Sequence, residues 1–564
     1  MPQSVLSRAR LEALLPTPIT DRILEELLFG SKAEVAGAAG DELTISVTPD
    51  RLDLLSEGGL GLYLQGVLGV AHGIPKKPPA AGHAKVPSFR VDASVEPIRP
   101  AIAGALVRSP DDAGLDAGTL AEAIRVQEIL HATVGRDRRA ASLGIYPWDV
   151  IEPPVRYSLE PLADVAFVPL SEETEVRADR FFTDHPMAER YGALGRVGGR
   201  CLVLRDRRGA VLSLPPVLNA RAAGEARVGH RELLIEATGR EARPVREAVG
   251  LLLVVFAARG WSVSPVAVEG PGERRDDGRA VVEPHAVDLP SALVRAVAGD
   301  PLPSSEVLRR LARCRLGGHA TEAGWRAEAP PWRPDLLGPI DVAEDVYLAA
   351  PVAVDAGVVP ASRTVGRRRG ETLYRRRFAE RLIGLGLTAP HTSLFVSSEV
   401  VARVGGPEPI RLRNPVSTEF AYLRDRLFLS HLEVLERNTR HGYPQQFGEV
   451  GPVIVRAPSA ESGGETRYRA SLVIASESAG FADVAARVDY LLGDRDVSGV
   501  REPAEVPGAI PGRAARLRVA GETVAEMGEV HPRILTELGV PVPVAFAELD
   551  LSALWPLVAP RDGP

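Results

Sequence analysis

The longest uninterrupted apolar run in the chain is AVGLLLVVFAA, at residues 248–258. A membrane-spanning helix needs about 20 consecutive apolar residues, so this run is too short to cross a bilayer and fits a buried helix. The N-terminus, MPQSVLSRARLEALL, also lacks the apolar segment of a signal peptide. The sequence therefore predicts a globular protein with no contact to a membrane.

The chain has 564 residues, which is too many for a single hydrophobic core. The stretches at 73–87 and 352–366, rich in proline or small residues, are typical of linkers. Helical and strand patterns alternate only loosely, which favours a multidomain α+β fold. We expect an N-terminal α/β domain at 1–80, a central α/β domain at 88–270, a small helical or winged domain at 275–352 and a C-terminal antiparallel-sheet module at 360–564.

Local patterns give several definite elements. After a helical start we expect a strand at ELTISVTPD and a helix from about 54 to 68. The segments ADVAFVPL and ELLIEATG read as strands in the central region. GRAARLRVAGETVAEMGEVHP reads as a hairpin with Gly521 at its turn.

Charge and cysteine content narrow the functional class. The formal net charge of −7 argues against one large nucleic-acid-binding surface, although a local basic face is compatible with it. Cys201 and Cys314 are far apart and lack the spacing of a metal site. This argues against a disulfide framework and favours a reducing cytoplasm.

The segment PPWRPDLLGPIDVAEDVYLAA, at 330–350, is unusually acidic. In one interpretation Asp341 caps a helix, Glu344 completes a pattern like a capping box, and Pro339 stops any preceding helix. This leaves Asp335 and Asp345 unexplained. In the second interpretation positions 341, 344 and 345 share a helix face that Asp335 can reach, and a divalent cation such as Mg²⁺ relieves the repulsion among the four carboxylates.

Several segments, in this order, resemble the beta subunit of phenylalanyl-tRNA synthetase in its shorter archaeal and eukaryotic form. They are VTPDRLDLLSEGGLGLYLQGVLG, LHATVGRDRR, FVPL, DHPMAERYG, LPPVLNA, LIEATGRE, WRPDLLGPIDVAEDV, LRNPVSTEFAYLRDRLFLSHLEVLERN, GRAARL, MGEVHPRIL and FAELDL. Each one alone is weak, but together they cover nearly the whole chain.

The resemblance implies a heterotetramer of two alpha and two beta subunits that charges tRNA(Phe) in the cytoplasm. The alpha subunit would bind ATP and activate phenylalanine, and the beta subunit would supply scaffold, tRNA contacts and editing. It implies that Asp335, Asp341, Glu344 and Asp345 are Mg²⁺ ligands at the contact with the alpha subunit. It also implies that the C-terminal module is a degenerate class II synthetase domain.

The residues themselves show no ATP-dependent site. The chain has no P-loop, no GxGxxG after a strand, no GxSxG and no zinc-type spacing of cysteine and histidine. The arginine motifs that grip ATP in this enzyme class are not found, and LRDRL at 423–427 fits a buried or salt-bridged arginine instead. We therefore expect that this chain does not aminoacylate tRNA by itself.

By resemblance, the central domain holds a pocket that hydrolyses mischarged Tyr-tRNA(Phe). Glu236, Thr238 and Asn219 would lie in this pocket, with a carboxylate accepting from the tyrosyl hydroxyl. Arg136 and Arg138 would meet the tRNA end, because guanidinium groups suit phosphate. Each residue also has a plainer interpretation: a solvent-facing strand for Glu236 and Thr238, a turn for Asn219 and a solvated loop for the arginines.

The sequence departs from the family pattern around this pocket. Tyr146-Pro147 replaces a His-Asp pair, Ala220 a serine, His230 a threonine and Glu232 an asparagine. Losing small polar groups that orient a water should impair hydrolysis. His230, in contrast, could supply acid/base chemistry of its own near neutral pH.

Three functions are consistent with the sequence. The first is an obligate subunit of a tRNA-charging enzyme. The second is a diverged paralogue. It has lost editing, or its altered pocket acts on another aminoacyl-tRNA or amino-acid ester. The third is a non-enzymatic interaction protein that holds partners through its sheets and acidic face.

Overall fold

The computed structural model of the chain describes residues 1–75, 87–271, 275–299, 301–350, 364–493 and 497–559. Most of both predicted linkers, at 76–86 and 351–363, lies outside the described residues. The chain divides into two compact units, Met1–Gly357 and Val358–Pro564. Both units combine helices with sheets, which confirms the predicted α+β class. Among the described residues, no helix is long and apolar enough to cross a membrane.

Two sheets pack face to face in the first unit, because one core cluster contains side chains from both. The four-stranded antiparallel sheet has the order Ser262–Pro265, Ala101–Arg108, Glu232–Gly239 and Ala141–Pro147. The eight-stranded sheet has the order Leu218–Asn219, Val211–Leu214, Arg200–Arg205, Val155–Pro161, Ser88–Val91, Ala267–Glu269 and Arg275–Asp276, with Arg196–Val197 also beside Arg200–Arg205. The strand predicted at ELLIEATG is confirmed as Glu232–Gly239.

Helices Ala117–Ala132 and Ala242–Ala257 cover the other face of the four-stranded sheet. Helix Ala242–Ala257 contains most of the apolar run, and every residue from Ala248 to Phe256 is buried, which confirms the predicted buried helix. The same core receives side chains from helix Glu57–Val67 and from a three-stranded sheet with the order Gln3–Ser7, Glu42–Val47 and Ala33–Ala39. The N-terminal segment and the central region therefore share one hydrophobic core.

The rest of the first unit is made of short elements. The remaining helices of its N-terminal and central parts are Arg8–Glu12, Asp21–Leu28, Ala178–Asp184, Pro186–Tyr191, Arg221–Gly224 and Arg279–Val282. Its 3₁₀ turns are Leu52–Leu55, Ala93–Val95, Trp148–Val150, Leu162–Asp164 and Gly192–Leu194, and Ala166–Phe167 pairs with Val176–Arg177. Residues 285–348 surround a core of their own with the sheet His285–Pro290, Gly324–Ala329 and Gly317–Thr321 and the helices Ser291–Ala298, Ser304–Arg313 and Pro339–Leu348.

The second unit is built on a six-stranded antiparallel sheet. Its order is Gln445–Arg456, Gly464–Ala475, Val544–Asp550, Glu522–Val530, Ala509–Val519 and Val500–Pro503. A small sheet has the order Phe395–Val396, Tyr422–Leu423 and Ile410–Arg411, and Thr418–Phe420 is a 3₁₀ turn. The helices are Gly370–Gly384, Ser398–Val404, Leu427–Arg437, Phe481–Gly493, Pro532–Glu537 and Leu551–Val558. Gly521 lies at the predicted hairpin turn with a φ of 87°.

Two local predictions are only partly confirmed. The chain starts with the strand Gln3–Ser7 rather than a helix, because this segment pairs with Glu42–Val47 and that tertiary pairing overrides local preference. The segment ADVAFVPL forms only the short strand Ala166–Phe167. Pro169 follows within the segment, and proline has no N–H for a strand ladder.

Candidate functional site

Glu236 lies in the middle of the strand Glu232–Gly239, and its neighbours across the sheet on both sides are glycines. It is in register with Gly104 on one side and Gly144 on the other. A Cβ on residue 104 would stand 2.7 Å from the ring of Phe89, and a Cβ on residue 144 would stand 2.2 Å from the hydroxyl oxygen of Tyr146. The two glycines therefore make room for two aromatic side chains beside a buried carboxyl group.

The carboxyl group of Glu236 belongs to a small buried network. The Tyr146 hydroxyl donates to Glu236 Oε2 over 2.9 Å and lies 2.9 Å from Ser213 Oγ. Glu236 Oε1 is buried and has no hydrogen-bond partner among the described residues. Burial raises the pKa of Glu236 to about 8, although the Tyr146 hydrogen bond and the charge of Arg99 act in the other direction. Near neutral pH the group is therefore mostly a neutral carboxylic acid.

This network forms one end of a cavity of about 520 Å³. The cavity lies between the helix Ala117–Ala132, the strand Ala141–Pro147 and the segment at 213–219. Its apolar wall comes from Leu120, Ile124, Leu143, Ile145, Leu170, Met187, Leu214, Pro215, Pro216, Val217, Leu218 and Ala226. Its polar lining comes from Gln127, Glu128, His131, Arg138, Ser142, Tyr146, Ser171, Ser213, Asn219, Glu225 and Glu236. A concave site that combines apolar side chains with convergent polar groups can hold a small molecule.

Glu128 connects two other residues of the polar lining, His131 and Arg138. Its carboxylate lies 3.0 Å from His131 Nδ1 and accepts from Arg138 over 3.1 Å. His131 Nε2 accepts from the backbone N–H of Leu143 over 2.9 Å, so both ring nitrogens are engaged. Burial lowers the pKa of His131, which keeps the ring neutral near pH 7. His131 therefore supports the wall and has no free nitrogen to act as a base.

The structure brings some of the predicted site residues together. Glu236, Asn219 and Arg138 all line the cavity. The Asn219 side chain donates to the Gly224 carbonyl over 3.0 Å. Thr238 is fully buried behind the cavity, 3.2 Å from Ser142 Oγ, and its carbonyl accepts from Arg99. The alternative of a solvent-facing strand for Glu236 and Thr238 is therefore wrong.

Arg138 differs from its predicted role at the tRNA end. Its guanidinium is buried and donates to the carbonyls of Pro216 and Val217 over 3.1 and 3.0 Å, as well as to Glu128. It also lies 4.5 Å from the centre of the Tyr191 ring. The N–H groups of Arg138 therefore bind carbonyl groups of the cavity wall. Arg136, in contrast, is exposed and does not line the cavity.

His230 is predicted for the editing pocket but does not line the cavity. It lines a separate surface hollow together with Glu232 and Arg108. Its Nδ1 accepts from the backbone N–H of Arg227 over 2.9 Å, which stabilises the turn before the strand Glu232–Gly239. The strand starts two residues later and carries the chain into the sheet interior, so His230 stays at the surface.

Arg99 and Tyr146 also support the site, although no motif in the sequence marks them. Arg99 is 1% exposed, and it donates to the Arg138 carbonyl and to Ser142 Oγ. In the sequence, Tyr146 stands out only as a departure from the family pattern. Its pairing with Glu236 becomes visible only through the strand register, because the two residues are 90 positions apart.

In the acidic segment, Asp335 and Asp345 share one arginine. Arg333 binds Asp335 through Nε and Nη2 over 2.9 and 2.8 Å, and its Nη2 lies 2.8 Å from Asp345. All three side chains are almost fully buried. Burial alone would raise the pKa of Asp335, but the charge and hydrogen bonds of Arg333 hold it below its usual value.

The other two carboxylates have different partners. Asp341 Oδ2 accepts from the backbone N–H groups of Leu337 and Gly338 over 2.9 and 2.8 Å, so Asp341 caps the helix from within its first turn. Glu344 pairs with Lys32 over 2.8 Å and does not complete a capping box. Pro339 is the first residue of the helix rather than a stop for a preceding one.

The four carboxylates therefore do not converge on one point. Within the ranges that the structure describes, no group of three or more His, Cys, Asp or Glu residues is placed to hold a metal ion. Two of the carboxylates are neutralised by Arg333, one by Lys32 and one by backbone N–H groups. This arrangement does not fit a Mg²⁺ ion held by all four.

In the second unit, Arg424 of the LRDRL segment is 2% exposed. It lies 3.4 Å from Glu449 and donates to the Pro452 carbonyl over 3.0 Å. The prediction of a buried, salt-bridged arginine is confirmed. His431 Nδ1 lies 3.2 Å from Ser471 Oγ, and its Nε2 lies 3.4 Å from Glu449, but all three side chains are buried inside the unit. This group resembles a catalytic triad only in composition.

Two family models match the chain. The model of the phenylalanyl tRNA synthetase beta chain CLM domain matches residues 357–551, and that of the tRNA synthetase B5 domain matches residues 287–350. An N-terminal fragment of the phenylalanyl-tRNA synthetase beta subunit from Pyrococcus horikoshii superimposes with a TM-score of 0.56 at 25% identity, over 62% of this chain and 99% of the fragment.

Full-length relatives match almost from end to end. The phenylalanine–tRNA ligase beta subunits of Korarchaeum cryptofilum and Thermofilum pendens are each 29% identical to this chain, over 98% of both sequences. That of Methanocaldococcus jannaschii is 26% identical, over 98% of this chain and 100% of its own. Over nearly its whole length the chain is similar to phenylalanyl-tRNA synthetase beta subunits, and the relatives it matches are archaeal.

Proposed function

We propose that this chain is the beta subunit of a phenylalanine–tRNA ligase, which contacts tRNA and supports a catalytic alpha subunit. The observation that carries the proposal is the match over 98% of the length of relatives that bear this name. The B5 match at 287–350 supports a contact with tRNA. The alpha subunit binds ATP and phenylalanine, and the working assembly contains two copies of each subunit in the cytoplasm.

The second unit supports a role without chemistry of its own. An arginine that grips ATP must have its guanidinium free to reach a phosphate. The guanidinium of Arg424 is instead enclosed and engaged by Glu449, the Pro452 carbonyl and Thr392. This is consistent with a chain that needs its partner for aminoacylation.

Purification from the native cells tests this proposal. The chain should copurify with an equal amount of a second subunit, and the pair should attach phenylalanine to tRNA while this chain alone should not. A chain that purifies alone would favour a diverged paralogue. A stable assembly without any charging of tRNA would favour an interaction protein.

The cavity next to Glu236 favours a second role, the hydrolysis of a mischarged aminoacyl-tRNA ester. The supporting observation is a cavity of about 520 Å³ that combines apolar side chains with polar ones, Asn219 and Ser142 among them. In the reaction, water adds to the ester carbonyl and the bond to the ribose oxygen of the tRNA breaks. The proton of the water passes to that oxygen, and the free amino acid leaves. Asn219 and Ser142 lie where polar groups can orient the ester or the water.

A deacylation assay on the whole assembly tests the hydrolytic role. Asn219→Ala should slow the release of a noncognate amino acid from tRNA by about 10²-fold if the amide acts in the transition state. His230→Ala is the matched control and should leave the rate unchanged, because His230 lies in another hollow. Equal rates for the wild type and Asn219→Ala would remove the support for hydrolysis in this cavity.

A further inference from the structure

Tyr146 folds back along its own strand. Positions 144 and 146 lie on the same face of the strand Ala141–Pro147, because side-chain directions alternate along a strand. The hydroxyl of Tyr146 lies directly above Gly144, where a Cβ would come within 2.2 Å of it. Glu236 is the partner of Gly144 across the sheet, so the phenol ends at that carboxyl group.

The phenol completes the hydrogen bonding of its surroundings. Its oxygen lies 2.9 Å from both Glu236 Oε2 and Ser213 Oγ. The side chain is 1% exposed, and Ser213 is 2% exposed. Glu236 Oε1 is enclosed as well, so neither carboxyl oxygen is open to a second hydroxyl group. We use the term phenol niche for the space beside Glu236, Ser213 and Gly144 that the ring of Tyr146 fills.

We propose that Tyr146 sets the specificity of the cavity by acting as the built-in ligand of the phenol niche, so that the cavity does not select a para-hydroxyphenyl side chain. The niche has the groups that a phenol needs, but the chain itself provides the phenol. As far as it concerns substrates, this inference rests on the proposed hydrolytic function. The amino acid released in this cavity is then distinguished from phenylalanine by a feature other than a phenolic hydroxyl.

The physical basis is the loss of a hydrogen-bond partner for the substrate. A site that hydrogen-bonds a substrate hydroxyl rejects the analogue without it very strongly, whereas an apolar wall barely separates the two. With the niche filled, a tyrosyl side chain meets walls such as Leu143, Ile145 and Met187. Its hydroxyl would lose water there without gaining Glu236, which removes the preference for tyrosine over phenylalanine that a hydrogen bond to Glu236 would give.

A binding experiment tests the niche without any tRNA. In full-length Tyr146→Ala, the vacated space should bind free phenol and raise the melting temperature, since a ligand that binds only the folded state stabilises it. Toluene is the matched probe, because it has the same shape without the hydroxyl and should give a clearly smaller shift. In wild type, where the ring of Tyr146 fills the niche, phenol and toluene should not differ. Equal shifts with phenol and toluene, or no shift with phenol, would overturn the assignment of the niche.

A hydrolysis experiment tests the consequence for specificity. Using the assembled enzyme and tRNA(Phe) carrying tyrosine or phenylalanine, wild type should release tyrosine no faster than phenylalanine. Tyr146→Ala should favour tyrosine by on the order of tenfold or more. Tyr146→Phe keeps the ring in the niche and should behave like wild type. Because the wild-type ratio needs no variant, the test remains decisive even if Tyr146→Ala folds poorly.

The outcomes separate this inference from the proposed function. A wild type that clearly favours tyrosine would overturn the inference and support the hydrolytic role. If no form releases any amino acid while phenol still stabilises Tyr146→Ala selectively, the hydrolytic role fails and the assignment of the niche stands.

Discussion

The guanidinium of Arg333 lies 2.8 Å from the carboxylate of Asp345, and both side chains are at least 93% excluded from solvent. A buried charge that loses its partner stays desolvated without compensation. Arg333 also neutralises Asp335, so its removal leaves two carboxylates buried side by side. We therefore expect Arg333→Ala to lower the free energy of unfolding of this region by about 3–5 kcal/mol.

The measurement is chemical denaturation of wild type and variant, with Lys32→Ala as the matched control. Lys32 also pairs with a carboxylate of the acidic segment, but Glu344 is 47% exposed and Lys32 is 25% exposed. Its removal should cost only about 0–1 kcal/mol, because water screens the pair. Similar losses in the two variants would show that the buried network is not the stabilising element.

The acidic segment also gives a test with metal ions. In wild type, Arg333 and Lys32 already neutralise three of the four carboxylates, so adding Mg²⁺ or EDTA should leave the melting temperature unchanged. In Arg333→Ala, Asp335 and Asp345 lose the guanidinium that binds both of them, and Mg²⁺ should then raise the melting temperature by binding the folded state. A Mg²⁺-dependent stabilisation of wild type would instead support the cation site predicted from the sequence.

Much of the local structure near the cavity could be predicted from sequence patterns. The strand Glu232–Gly239 and the buried part of the helix Ala242–Ala257 follow from runs of apolar residues whose lengths fit a strand and a helix. Glu236 and Asn219, which the resemblance assigns to one pocket, both line the cavity. These predictions succeeded because the pattern of each segment agrees with its burial.

The contacts that define the site depend on distant parts of the chain. Tyr146 reaches Glu236 only because Gly144 is its neighbour across the sheet, and no local pattern gives that register. Arg333, in contrast, stands inside the acidic segment, and a charge count of that segment would have suggested it as the counterion. The interpretation with four ligands considered the carboxylates without the arginine beside them, and the structure pairs two of them with that arginine.

The raised pKa of Glu236 predicts a pH dependence of stability. In the folded protein the carboxyl keeps its proton up to a pH of about 8, whereas the ordinary value is 4.5. Between these values the folded state binds more protons than the unfolded state, so stability falls as the pH rises. This contribution is fully present below the ordinary value and is lost above about 8.

Glu236→Gln isolates that contribution, because glutamine resembles the protonated acid and does not titrate. The difference in unfolding free energy between wild type and variant should change by about 1.4 kcal/mol per pH unit within this window. The neighbouring Tyr146 and Arg99 keep their protons there, since burial raises the pKa of the phenol and a guanidinium stays charged. Parallel profiles for the two proteins would mean that Glu236 does not keep its proton in the folded state.

Gly144 provides an independent test of the packing of Tyr146. Its backbone φ lies outside the left-handed region, and the three atoms nearest to an added Cβ all belong to Tyr146, with the hydroxyl oxygen at 2.2 Å. Gly144→Ala should push the phenol away from Glu236 and Ser213 and cost about 1–3 kcal/mol of stability, the range for overpacking and for an unsatisfied buried polar group. Gly442→Ala is the control, because nothing lies within 4 Å of its added Cβ. If both substitutions had the same small effect in denaturation experiments, Tyr146 would not be held above Gly144.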